Sequence, residues 1–87
     1  MSLQAASLKV TIGDIVASDS AAGEVKACIA DDEGDLFVIT QIFQRVGMLT
    51  PHSDIWNVTE HLGVWQATSL VLPRAWYPDG DHFVLIW

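Results

Sequence analysis

Only one cysteine, Cys28, and four basic residues occur in the 87-residue chain. A small secreted domain normally relies on paired cysteines, so a lone thiol excludes a disulfide framework and points to a reducing, intracellular compartment. Four Lys and Arg against eleven Asp and Glu leave a net charge of -7, an average field that repels phosphate backbones. Nucleic-acid binding is not expected. Apolar runs such as residues 70–73 and 83–87 are far shorter than the roughly 20 residues that span a bilayer as a helix. The start, from Met1 to Ala6, has no basic flank before an apolar stretch and does not read as a secretory signal. Residues 1–7 are expected to be flexible or an added expression leader. Charged residues are only 17% of the chain and apolar ones 51%, which excludes intrinsic disorder and predicts one folded domain over residues 1–87.

Helical periodicity is also missing. Alternation with a period of two marks Leu8, Val10 and Ile12, and a bend at Gly13 and Asp14 precedes Ile15 and Val16. Over residues 24–30 the alternation puts Val25, Ala27 and Ile29 on one face and Glu24, Lys26 and Cys28 on the other. An acidic turn at residues 31–35, with Gly34 available for positive φ, leads into the β-branched and aromatic run 36–46, so a hairpin is predicted. Both faces of that run are apolar, as in a barrel. Residues 47–54, with Pro51, read as the longest exposed loop. Two short strands are expected at 55–59 and 64–68, separated by a bend at Gly63, and residues 69–73 read equally as strand or as one helical turn. The aromatics Trp76 and Tyr77, the turn from Pro78 to Asp81 and the alternating Phe83, Leu85 and Trp87 predict a terminal hairpin. The fold class is therefore all-β, a small barrel of five to seven antiparallel strands.

Catalytic chemistry has little to work with. No nucleophile sits in a motif with a base and an orienting group, and Cys28 lies mid-strand, where a small packed side chain is the ordinary occupant. The pairs His52 with Asp54, Glu60 with His61 and Asp81 with His82 do not supply the four convergent ligands of a structural zinc site. Residues 31–35 lack the bidentate glutamate of a calcium loop and read as a solvated hairpin tip. No metal, no cofactor and no enzymatic activity are expected.

Four tryptophans, at positions 56, 65, 76 and 87, are the compositional surplus. Each can bury on the order of 200 Å² and help a small barrel reach a sufficient core. The alternative is an exposed aromatic wall. Trp76 and Tyr77 beside Asp79 and Asp81 are the candidate site, because ring faces attract cations and nearby carboxylates add a longer-range pull. The expected ligand is a protein or peptide bearing lysine or arginine. Residues 36–46, whose only charge is Arg45, are the candidate edge strand for a homodimer. A small acidic inhibitor of a basic partner is the remaining alternative.

The order of features resembles a family. Ile12 to Val16, Gly23 to Lys26, Gly34 to Val38, Trp56 to Val58 and the closing Gly80 to Leu85 hairpin look like the SH3-like and bromo-adjacent-homology-like barrels of chromatin and transposon-encoded proteins. The resemblance spans most of residues 8–87. It implies a protein-recognition role, with peptide or histone-tail ligands meeting aromatic residues between strands, and carries over no catalytic residue.

Overall fold

A computed structural model describes residues 2–5, 8–19 and 21–87, with side chains placed from residue 10 onward, residue 20 excepted. β1 (Ser2–Ala5) pairs antiparallel with β2 (Leu8–Thr11), so part of the stretch read as a leader is paired strand. Met1, Ala6 and Ser7, the rest of that stretch, lie outside the described residues. The remaining strands are β3 (Ile15–Ser18), β4 (Ala21–Ala30), β5 (Leu36–Thr50), β6 (Ser53–Gln66), β7 (Ala75–Asp79) and β8 (His82–Ile86). They form one six-stranded antiparallel sheet in the order β3-β4-β5-β6-β8-β7. The fold is all-β, and the sheet curls into a half-barrel.

Neighbouring residues on a strand point to opposite faces, and on β3 both faces are apolar, so this strand is buried on each side. Val16 joins a core with Val10, Val25, Val38 and Leu70. Ile15 and Ala17 join another with Phe43, Trp56 and Leu85. Beyond β3, β4 comes close to β5 at Gly23. A Cβ built there would stand 2.6 Å from the backbone oxygen of Gln41, so only glycine admits this approach of β4 to β5. At the far end of the curl Ala17 and Val71 exchange two backbone hydrogen bonds of 2.8 Å, which tie the first strand of the sheet to the segment that leads into the last.

Four local expectations are corrected. On β4 the register shifts between Val25 and Ala27, and this bulge turns Cys28 rather than Ala27 to the face of Val25, where both enter the first core. Residues 47–54 are not a long loop. β5 runs to Thr50 and β6 starts at Ser53, leaving a two-residue turn at Pro51 and His52, with bulges in the ladder accommodating the irregular pattern. The two short strands expected at 55–59 and 64–68 are parts of one strand, β6, which ends at Gln66 before the 3-10 turn Ala67–Ser69 and in which residues 59–61 bulge opposite Ile42. Finally, the candidate edge at residues 36–46 is interior over residues 36–43, where β5 is hydrogen-bonded to β4 on one side and β6 on the other, and only its last three residues run past the end of the β4 pairing. Residues 69–73 divide between the end of a 3-10 turn, Ala67–Ser69, and the isolated bridge at Val71.

Candidate functional site

The terminal hairpin forms as the sequence predicts. Asp79 pairs with His82 across the two-residue loop Gly80 and Asp81, and a positive φ of 62° at Gly80 with none at Asp81 matches a turn of type II′, whose first central position calls for glycine. β7 is the last strand of the sheet and, among the described residues, pairs only with β8.

All five residues of β7 are exposed. Trp76 and Tyr77 keep 42% and 44% of their surface accessible, but as sequence neighbours on a strand they lie on opposite faces. Trp76, opposite Leu85, inclines its ring at 59° to Phe83 with centroids 5.6 Å apart, and Phe83 in turn stacks on Phe43 at 5.1 Å. Tyr77 and Asp79 share the other face, and Asp81 stands in the exposed turn. The four candidate residues thus belong to one hairpin, yet they do not form one aromatic wall. Neither Asp79 nor Asp81 is in an ion pair among the described residues, whose salt bridges are Lys26 with Glu24 and Arg45 with Asp54. A cleft of about 390 Å³ lies where β3 and β7 fail to meet, lined by Asp14 and Ile15 on one side and residues 72–76, Trp76 among them, on the other.

A second cleft, of about 400 Å³, holds a network that sequence reasoning missed. Asp54 accepts a 3.0 Å bond from Arg45 Nη2 on one carboxylate oxygen and a 3.0 Å bond from Trp87 Nε1 on the other. Arg45 lies on β5, Trp87 follows the end of β8, and Trp87 is 33 positions from Asp54, so no local motif announces them. Trp56 lines the same cleft and is only 4% exposed. Its indole Nε1 is buried without a hydrogen-bond partner among the described residues.

The remaining candidates for chemistry stay apart. Cys28 is buried, and burial pushes its thiol up from the usual range, away from the thiolate a nucleophile needs. The acidic tip is built for turn formation, since Asp31 Oδ1 accepts the backbone N–H groups of Glu33 and Asp35, each at 2.9 Å. Asp31, Glu33 and Asp35 bring carboxylates within 4.8 Å of one another, and all three are exposed. The tryptophans divide: Trp56 is core, Trp65 packs against the first core while partly accessible, and Trp76 and Trp87 are exposed. No helix among the described residues is long and apolar enough to cross a membrane. Compared with protein-family models, curated proteins and solved structures, the chain has no match in any of the three.

Proposed function

We propose that the chain is a non-enzymatic, SH3-like protein-recognition module that takes a basic, extended peptide along β7. The observation that carries this reading is the outer edge of β7, unpaired among the described residues, with a half-exposed aromatic ring on each face and, at its end, two carboxylates in no ion pair among those residues. An extended peptide adds to such an edge through main-chain hydrogen bonds, and its alternate side chains then meet opposite faces of the sheet. Trp76 receives residues on one face, and Tyr77 with Asp79 receives a lysine or arginine on the other. Main-chain groups alternate along β7, so that Ala75, Tyr77 and Asp79 bond to β8 while Trp76 and Pro78 face the open edge. Because Pro78 has no N–H to donate, Trp76 is where an added strand both gives and takes a hydrogen bond. With two of the four basic side chains already held by carboxylates, the accessible charge favours a cationic ligand over a phosphate backbone. An intracellular setting accords with a single thiol buried in the core.

The test is calorimetric titration with an extended peptide of alternating lysine and apolar residues. Tyr77→Ala is expected to weaken binding by about 1–2 kcal/mol, as loss of a cation-contacting aromatic does, with the melting temperature nearly unchanged because the ring is half exposed. A large drop in melting temperature, with no heat of binding from the parent protein, would end this reading.

A further inference from the structure

The sheet has a second open edge, on β6. β8 covers only residues 53–57 of that strand, and beyond them no strand among the described residues pairs with its outer side. Residues 59–61 are bulged, which turns that part of the edge away from further pairing. Residues 62–66, in contrast, run in unbroken register with residues 37–41 of β5 and form a regular strip. Leu62 and Val64 on this strip are 65% and 61% exposed. No Asp, Glu, Lys or Arg occurs from residue 61 to residue 73, so the strip lacks the charges that discourage pairing of exposed edges.

We propose that a second copy of this chain pairs antiparallel with residues 62–66, joining two six-stranded sheets across a two-fold axis. Charge selects this occupant. On a chain of net charge -7, a basic partner is drawn to the carboxylate-bearing turns, and two copies repel wherever those turns approach one another. An uncharged strand is complementary to itself. An axis through Val64 sets Val64 against Val64, Leu62 against Gln66 and Gly63 against Trp65, while Glu60, the nearest charge, falls opposite Thr68 beyond the strand end. A five-residue ladder is small beside a standard interface, so the association is of the weak, concentration-dependent class. This proposal is independent of peptide binding on β7.

Sedimentation equilibrium from micromolar to near-millimolar protein is expected to show the mass rising from one chain toward two. Val64→Lys places like charges opposite each other at the axis and is expected to weaken association about tenfold or more, whereas Leu49→Lys, at a position also more than half exposed but at the other end of the β5–β6 hairpin, leaves it unchanged. In the parent protein, amide exchange at residues 62–66 slows as concentration rises, a readout that needs no variant. A one-chain mass at every concentration, association of Val64→Lys equal to the parent, or a dimer without slowed exchange at 62–66 would overturn the proposal.

Discussion

Trp56→Ala is expected to destabilise the domain by about 3–5 kcal/mol, the usual cost of truncating a buried aromatic to alanine. Trp56 is 4% exposed and joins Phe43, Ala22, Ile15 and Leu85 in the second core, so its removal opens a void beneath four strands. A chain of 87 residues has a total stability of only about 4–13 kcal/mol. The variant should therefore melt far below the parent or fail to fold. Trp56→Phe separates the two roles of the side chain. It keeps most of the apolar ring and removes an N–H that is buried without a partner among the described residues, a group whose desolvation costs about 1–3 kcal/mol. The expected loss is then much smaller than for alanine. Equal losses for Phe and Ala in chemical denaturation would show that the indole N–H holds an interaction essential to the core.

Gly23→Ala adds one methyl group and is expected to cost about 3 kcal/mol, at the upper end of the range for overpacking. The added Cβ would lie 2.6 Å from the Gln41 backbone oxygen and 3.2 Å from its carbonyl carbon. A flexible side chain could rotate away from such a contact, but a carbonyl in the middle of a ladder can only move with its strand. Relief therefore requires β4 and β5 to separate where the sheet curls, and Ile42, opposite Gly23, moves with them. Gly47→Ala is the contrasting substitution. Nothing lies within 4 Å of its Cβ position, and its φ is not positive, so its effect should stay within about 0.5 kcal/mol. A Gly23→Ala variant as stable as Gly47→Ala in urea would contradict the close approach that shapes the half-barrel.

Legibility in the sequence follows the range of the forces involved. The two hairpins with strong turn chemistry were readable because the signals are local: Asp31 and Gly34 shape one turn, and Gly80 shapes the other. Class was readable too, since alternation reports the pleat directly. Bulges were not. One extra residue between Val25 and Ala27 reverses which side chains face the core, and nothing in the composition of residues 24–30 distinguishes that from an unbroken strand. The same blindness split β6 into two and opened a loop at residues 47–54 that the structure closes with a two-residue turn. Edge status depends on strand order, a long-range property, so residues 36–43 could be read as apolar on both faces without revealing that β4 and β6 flank them. For the candidate site, sequence proximity placed Trp76 and Tyr77 together, while the pleat divides them between two faces. The Arg45, Asp54 and Trp87 network was hidden for the reverse reason, because register unites residues that the chain keeps far apart.

Peptide recognition along β7 is tested most directly by following backbone amide and indole resonances of isotope-labelled protein as the lysine-bearing extended peptide is added. Saturable shifts concentrated in Ala75–Asp79 and at the Trp76 indole are expected, with slowed exchange of β7 amides in the complex and weakening of the whole effect as salt is raised. Unchanged β7 resonances at saturating peptide, or the same shifts with a peptide in which every lysine is replaced by glutamate, would contradict it.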